Sequence, residues 1–146
     1  GVALSPITSG PLVNESLETS IPGVFAAGNV LHVHDLVDFV SMEAEHLAKC
    51  AAEYVEGRTL PACNINVKAG DGVGHTIPQK ISGKNDFQLS MRVNHHYGAC
   101  RIVVKQDGRE VAVKKMKKAI PAEMIQFKVK ADNINGTGDL EVMVEC

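Results

Sequence analysis

Hydrophobic positions follow two different periods along the chain. Between residues 37 and 55 they recur every three or four positions, the period of an amphipathic helix; these positions are Val37, Val40, Ala44, Leu47, Ala48, Ala51 and Val55. From Pro61 onward they fall in short alternating or β-branched runs separated by turn residues. The pattern therefore predicts a helical first part and a strand-rich second part, with the boundary near residues 57–61.

Turn and capping residues flank the predicted helix. Asp35 or Asp38 can cap its N-terminus, and Gly57 stands where a glycine commonly ends a helix. Ahead of the helix, residues 21–23 (Ile-Pro-Gly) predict a tight turn, because proline presets φ and glycine accepts a positive φ. Residues 24–27 are then predicted to form a buried strand that ends at the next glycine.

Seven short runs with strand character follow the boundary. Turns separate them about every ten residues, a spacing typical of an immunoglobulin or fibronectin type of β-sandwich. The predicted strands are 64–68, 76–81, 87–93, 101–105, 109–114, 124–130 and 140–144. Asp107-Gly108 is the strongest local signal, because Asp-Gly is a preferred two-residue hairpin turn. The predicted fold class is α+β: a strand and a long helix in residues 1–60, followed by a β-sandwich in residues 61–146.

Composition narrows the functional classes. Aromatic residues make up only 4% of the chain and Trp is absent, so the core is expected to be aliphatic. The net charge of -2 gives no reason to expect nucleic acid, and no run reaches the roughly 18 apolar residues of a membrane helix. The four cysteines form no Cys-x-x-Cys pair, which suits single thiols in a reducing cytoplasm. Cys50 and Cys100 are predicted to be small core residues, and no cysteine is predicted to be a nucleophile.

Residues 19–30 carry the most specific motif, Thr-Ser-Ile-Pro-Gly-Val-Phe-Ala-Ala-Gly-Asn-Val. It resembles the last FAD-contacting segment, T-x-x-P-G-V-F-A-A-G-D, of the flavoproteins with two dinucleotide-binding domains, the superfamily of thioredoxin reductase and the pyridine nucleotide-disulfide oxidoreductases. Residues 32–38 are similar to a subgroup of NAD(FAD)-dependent dehydrogenases related to the subunits that accompany anaerobic glycerol-3-phosphate dehydrogenases. The resemblance covers residues 1–57 and implies that they are the remnant of an FAD-binding α/β domain.

The resemblance implies four cofactor-binding residues. Gly28 and Asn29 would meet the ribityl and phosphate region of FAD, and Val40 and Ser41 would lie near the pyrimidine edge of the flavin ring. Asn29 departs from the usual Asp, since it can hydrogen-bond a hydroxyl but carries no charge. The chain has no G-x-G-x-x-G motif for the pyrophosphate, and residues 70–74 (Gly-Asp-Gly-Val-Gly) are predicted to be a loop. The chain alone is therefore not expected to bind FAD tightly.

The resemblance also implies a function for the intact protein, namely hydride transfer between NAD(P) and FAD. This chain would be the C-terminal fragment, which completes the flavin site, contributes no catalytic residue and is inactive alone. The expected partners are the missing N-terminal FAD and NAD domains and a partner oxidoreductase subunit docked by the β-sandwich. A chain separated from those domains is expected to pair its apolar helix face with the sandwich, to form a homodimer or to leave that face disordered. The alternative function is a non-enzymatic β-sandwich protein-interaction domain that acts on its own.

His32 and His34 are the remaining candidates for chemistry. They share one face of an extended segment, and Asp35 or Asp38 could join them as ligands of zinc or iron. The spacing supplies no further ligand, so no metal site is predicted. Two other interpretations stay open: that the histidines line the substrate side of the flavin in the intact enzyme, or that they are ordinary hydrogen-bonded loop residues.

Overall fold

The computed structural model describes residues 1–146 and contains one α-helix and eight β-strands. Helix α1 spans Val37–Val55, and two short 3₁₀ turns lie at Gly28–Val30 and Ala131–Asn133. The strands are β1 (Ile65–Ala69), β2 (Val73–Ile77), β3 (Lys80–Ile81), β4 (Phe87–Val93), β5 (Cys100–Gln106), β6 (Arg109–Met116), β7 (Ile125–Val129) and β8 (Leu140–Glu145). The protein is therefore a mixed α+β structure in which most regular elements are strands.

The strands form two sheets that contribute to one core. The larger sheet has the order β3-β1-β8-β5-β6, and the smaller has the order β2-β4-β7. All neighbours are antiparallel except β1 and β8, which are parallel. A cluster of 18 buried residues draws on both sheets and includes Leu89, Ile102 and Leu140. Phe87 is the single aromatic residue among those 18, as expected for a chain so poor in aromatic residues.

Most of the predicted strands agree with the observed ones to within two residues, and β4 has the predicted limits. Residues 76–81 are the exception, because this predicted strand is divided between the end of β2 and β3. Pro78 lies at the break, and its nitrogen has no hydrogen to donate to a ladder. The β5–β6 hairpin is confirmed: Asp107 and Gly108 have φ of 53° and 79°, as a turn with two positive φ values requires.

The two outer strands of the larger sheet differ in length. β3 has two residues, whereas β6 has eight. Lysines occur at the end of β6 and just beyond it, at Lys114, Lys115, Lys117 and Lys118. Charged side chains on an outer strand oppose pairing with a further strand, so these lysines shield the longer free edge.

The end of α1 is as predicted. Gly57 has a φ of 81° and donates its amide hydrogen to the carbonyl of Tyr54 at 3.0 Å. The Arg58 amide donates to the carbonyl of Glu53 at 3.0 Å. This pair of bonds is the Schellman arrangement, which satisfies carbonyls that the helix itself leaves unpaired.

The start of α1 is not capped as predicted. Leu36 occupies the capping position, and no side chain there accepts a hydrogen bond from the first turn. Asp35 instead accepts a hydrogen bond from the amide of Met124 at 3.3 Å and pairs with Arg92 at 3.7 Å. Asp38 lies inside the first turn, where its charge favours the positive end of the helix dipole.

The predicted strand at residues 24–27 is wrong. This segment makes only an isolated bridge between Phe25 and Glu18, and Val24 is exposed. A strand needs a neighbour with a continuous row of backbone partners, and residues 17–19 provide only two hydrogen bonds to this segment. The preceding turn is confirmed, because Gly23 has a φ of 82° and the Val24 amide donates to the carbonyl of Ile21.

A second, smaller core joins the N-terminal segment to the smaller sheet. Its buried members are Val13, Leu17, Ala26, Leu31 and Ile77, the last of which belongs to β2. The Val13 amide donates to the Oε1 atom of Gln79 at 2.8 Å, and the Gln79 amide donates to the carbonyl of Val13 at 2.9 Å. These contacts fix the segment that leads into α1 against the β part.

Residues 70–72 form the turn between β1 and β2, whereas Val73 and Gly74, predicted to lie in the same loop, are the first residues of β2. Helix α1 contains no apolar stretch long enough to cross a membrane.

Candidate functional site

Three ionisable side chains meet in a buried cluster beside the start of α1. The Nε2 atom of His32 lies 3.3 Å from Oε2 of Glu43, and the Nε2 atom of His34 lies 3.3 Å from Oε1 of the same carboxyl group. The side chains of both histidines are 1% exposed and that of Glu43 is 8% exposed. We call His32, His34 and Glu43 the histidine–glutamate cluster.

Local backbone structure brings the cluster together. The 3₁₀ turn at Gly28–Val30 leads into the segment that carries both histidines, and Glu43 lies on the second turn of α1. The Gly28 amide donates to Oε1 of Glu43 at 2.6 Å, which fixes that carboxyl group against the turn. The His34 amide donates to Oδ1 of Asn29 at 3.2 Å. The turn, the histidine segment and α1 therefore form one hydrogen-bonded unit.

A third histidine, His75 on β2, contacts the cluster from the smaller sheet. Its Nε2 atom lies 3.2 Å from Nδ1 of His32, and the two rings meet edge to face with centroids 5.4 Å apart. Burial, with repulsion from His32 and Arg92, lowers the pKa of His75 to about 4. His75 is therefore neutral at neutral pH and can either accept a hydrogen bond from His32 or donate one to it.

The carboxyl group of Glu43 is ionised despite its burial. Burial by itself raises its pKa, but hydrogen bonds from His32 and from the Gly28 amide, with favourable charge interactions of His32 and His34, more than offset that effect. The pKa of Glu43 is consequently below its usual value. The cluster thus presents a carboxylate together with imidazole nitrogens inside the protein.

One atom of the cluster is left unsatisfied. The Nδ1 atom of His34 is buried and has no hydrogen-bond partner in the protein. Buried polar atoms nearly always have such a partner, so hydrogen bonding within the protein does not account for every donor and acceptor in the cluster.

An arginine holds the histidine segment to the β part. Arg92 on β4 donates from Nη2 to the carbonyl of Val33 and from Nη1 to the carbonyl of Pro121 at 3.0 Å. The same guanidinium pairs with Asp35. Because Val33 and Asp35 flank His34 in the chain, these bonds restrain the backbone of the histidine segment.

A cleft of about 330 Å³ lies beside the cluster. Its walls come from the N-terminal segment, α1 and strands β4 and β7, and they include Glu15, Glu43, His46 and Phe87. His46 donates from Nε2 to the carbonyl of Glu15 at 2.7 Å, which ties α1 to the N-terminal segment across the cleft wall. Since Glu43 belongs to both features, the cluster lies at the edge of a space large enough for a small molecule.

Comparison of the chain with protein-family models, curated proteins and solved structures gave no match. The site must therefore be interpreted from its own geometry.

Of the four residues assigned to FAD binding, Gly28 and Val40 are neighbours in the fold, and the four differ in exposure. Gly28 is buried and has a φ of 78°, and a Cβ atom built on it would have Cγ1 of Val40 as its nearest neighbour, at 3.9 Å. Asn29 and Ser41 are exposed and Val40 is partly exposed. Val40 and Ser41 lie inside α1, so the first-turn amides that lack intrahelical partners belong to Val37 and neighbouring residues.

The cysteines are separate from the cluster. Cys50 and Cys100 are buried, as predicted for small core residues. Burial raises the pKa of both thiols, and it raises the pKa of Cys63 to about 11. These three side chains are therefore protonated at neutral pH. The nucleophilic form of cysteine is the thiolate, so protonation disfavours a nucleophilic role for them.

The sequence identified His32 and His34 as candidate ligands. It did not identify Glu43, the third member of the cluster, or His75, which contacts the cluster. Asp35 and Asp38 were the expected carboxylates beside the histidines, but Asp35 pairs with Arg92 and the cluster carboxylate is Glu43. The period of α1 placed Glu43 near the N-terminal end of the helix but gave no indication of which loop it faces. His75 is 43 positions from His32, and no local pattern connects the two.

Proposed function

We propose that residues 1–60 complete the FAD site of a pyridine nucleotide-dependent oxidoreductase whose other FAD and NAD(P) domains lie outside this chain. In that protein, hydride would pass between a nicotinamide and the flavin. The residues of this chain would orient the flavin and shape its surroundings. The observation that carries the proposal is the uncovered apolar surface of α1.

Helix α1 has little cover within the chain. Cys50 is its one buried residue out of nineteen. Val37 and Val55, near its two ends, are 80% and 83% exposed, and Ala44 and Ala48 between them on the same face are also exposed. A surface helix normally buries its apolar stripe against a neighbouring element, and a contiguous exposed apolar surface commonly contacts another protein. A sheet of an FAD-binding domain is the partner that the motif in residues 19–30 implies.

The surroundings of Gly28 also support a cofactor at this position. Its positive φ favours glycine, and the absence of a side chain lets the backbone approach a ligand closely. Val40 is the nearest neighbour of that position, in keeping with a shared contact to one ligand. The uncapped first turn of α1 offers amide hydrogens to an electron-rich group. Because the Gly28 amide is bonded to Glu43, the side chain of Asn29 is the expected polar contact to the ribityl chain.

The β part would serve as the interaction domain of the same protein. We place its two sheets in an immunoglobulin or fibronectin type of β-sandwich, with a partner oxidoreductase subunit docked on its surface. The 18-residue core supports this role, because it lets the β part present a rigid surface. The intact protein would work in the cytoplasm.

The test begins with the coding DNA upstream of codon 1. The proposal expects an in-frame continuation with a G-x-G-x-x-G motif near its start, and an upstream stop codon next to codon 1 would refute it. The full-length product should then purify with FAD, whereas the 146-residue chain should not.

A matched pair of glycine variants tests the site in that full-length product. Gly28→Val should lower the FAD content, because it places a branched side chain at the proposed cofactor contact. Gly136→Val is the control, since Gly136 also has a positive φ (67°) and a Cβ atom there meets nothing within 4 Å. Equal FAD content in the two folded variants would argue against Gly28 as a cofactor contact.

A second candidate is an interaction domain that acts alone, and one observation favours it. The N-terminal segment packs on β2 through the smaller core and is hydrogen-bonded to Gln79, so it has a place in the fold without any further domain. This candidate expects a monomer in which the amides of α1 are protected from hydrogen exchange. Rapid exchange along α1 in the isolated chain would favour the flavoprotein proposal instead.

A further inference from the structure

The geometry points to a binding site for a divalent transition-metal ion, with His32, His34 and Glu43 as its protein ligands. This inference does not depend on the flavin proposal, because all three ligands belong to this chain.

The donor atoms are of the right kind. Two imidazole nitrogens and one carboxylate form the ligand set found in catalytic zinc sites and in non-haem iron(II) sites. One atom from each of the three side chains can be chosen so that all three lie within 4.8 Å of one another. The set contains no sulfur, and it leaves at least one coordination position for a group from outside the protein.

The separations are those that a metal requires. In a tetrahedral site with bonds of about 2.0–2.1 Å, neighbouring ligand atoms lie roughly 3.3 Å apart. Nε2 of His32 lies 3.3 Å from Oε2 of Glu43, and Nε2 of His34 lies 3.3 Å from the other oxygen, Oε1, so each histidine has this separation from one oxygen of the carboxyl group. An ion can therefore be accommodated with small movements of side chains that the fold already holds in place.

The groups behind the ligands also fit a metal site. Metal-binding histidines generally use their second ring nitrogen in a hydrogen bond, and ligating carboxylates are themselves hydrogen-bonded. Nδ1 of His32 has its partner in His75, and Oε1 of Glu43 accepts from the Gly28 amide. Oε2 of Glu43 contacts only Nε2 of His32 and would exchange that contact for the ion. His34 is the exception, since its Nδ1 atom has no partner, although its backbone amide is bonded to Asn29.

A hydrogen-bonded cluster without metal is the competing explanation. In that case both histidines would donate to Glu43 from Nε2, and Nδ1 of His34 would be a buried acceptor without a partner. An ion bound to Nε2 of His34 would leave the same atom as a buried donor, so this atom does not distinguish the two explanations. A bound ion would add a positive charge where two imidazoles and a carboxyl group are buried together. Glu43 also lines the cleft, so an ion bound at the cluster would lie beside that space.

Zinc is the probe for the test. Chelator-treated protein is titrated with Zn²⁺ in competition with a chromogenic chelator, and X-ray absorption spectra of the zinc-loaded protein identify the ligand atoms. The expected result is one ion per chain with nitrogen and oxygen ligands only. Sulfur ligands in the spectrum, or no zinc bound when one equivalent is added, would overturn the proposal. Both measurements use the wild-type protein and need no variant.

Variants then assign the site to the cluster. Glu43→Gln keeps the size of the side chain and should weaken zinc binding at least about 100-fold, whereas His75→Gln, behind the ligand, should weaken it about 10-fold to 100-fold. Glu45→Gln and His96→Ala are matched controls on the same helix and on an exposed loop, and each should leave the affinity unchanged. Unaltered binding by folded Glu43→Gln would refute the assignment. If that variant does not fold, wild-type affinity in His34→Gln would refute it equally.

Discussion

Replacement of Glu15 with alanine should destabilise the attachment of the N-terminal segment to the β part. Glu15 is 9% exposed, and its carboxyl group accepts three hydrogen bonds. Ser82 donates to Oε1 from both its amide and its hydroxyl, and Asn85 donates to Oε2 at 3.2 Å. Alanine removes both acceptor oxygens, and with them all three bonds, and leaves the donors on the β3–β4 loop.

The surroundings of the three donors determine the size of the effect. Asn85 is exposed, so water can replace its bond at little cost. The Ser82 hydroxyl can rotate to another acceptor, but the partly buried Ser82 amide cannot. A net hydrogen bond to a charged group contributes about 1.5–3 kcal/mol. Glu15→Ala should therefore lower the free energy of unfolding by about 2–3 kcal/mol, and Glu15→Gln, which keeps one oxygen for Ser82, should lower it by about half as much.

Urea denaturation followed by far-ultraviolet circular dichroism measures these values, since the chain has no Trp to serve as a fluorescent probe. Glu45→Ala is the control, because Glu45 is exposed on α1 and its removal should change the free energy of unfolding by less than about 0.5 kcal/mol. If Glu15→Ala matched this control, Glu15 would not hold the two parts together, and the contribution assigned to the Ser82 bonds would be wrong.

Three further predictions concern single positions. Leu89→Ala, at a fully buried site in the main core, should cost about 2–5 kcal/mol in urea unfolding; a loss below 1 kcal/mol would contradict the assigned packing. Gly57→Ala should weaken the end of α1 by about 1 kcal/mol, because its φ of 81° disfavours a side chain, and Gly98→Ala should not; hydrogen exchange of α1 amides compares the two. Burial raises the pKa of Cys63 from 9.0 to about 11, so the folded chain favours the protonated thiol. The contribution of this protonated thiol to stability is present below pH 9 and is lost as the pH rises toward 11. At pH 8–9 alkylation of Cys63 should be roughly 100-fold slower in the folded than in the urea-unfolded chain, and equal rates by mass spectrometry would contradict this burial.

Local signals carried most of the fold prediction. The three-to-four residue period gave the limits of α1, Gly57 gave its end, and Asp107-Gly108 gave the β5–β6 hairpin. Each of these features depends on backbone preferences that neighbouring residues determine. The prediction failed where a distant partner decides the outcome. Residues 24–27 have strand composition, but the fold gives them only an isolated bridge to Glu18.

The candidate site was harder to predict for the same reason. His32 and His34 stood out because they are close in sequence and able to bind metals. The carboxylate beside them was missed because Asp35 was nearer in sequence, whereas Glu43 reaches them only after the chain turns into α1. Contact with His75 depends on the packing of the N-terminal segment on β2, which no periodicity describes.

The two outer strands of the larger sheet determine how readily the protein can add strands from other molecules. One side offers little template, since β3 is only two residues long. The other side has eight residues of β6, and there the lysines are the main obstacle to self-association. Acetylation of these lysines or high salt would weaken that obstacle without altering the core. Resistance to aggregation therefore depends on surface charge along one strand and can be lost while the fold stays intact.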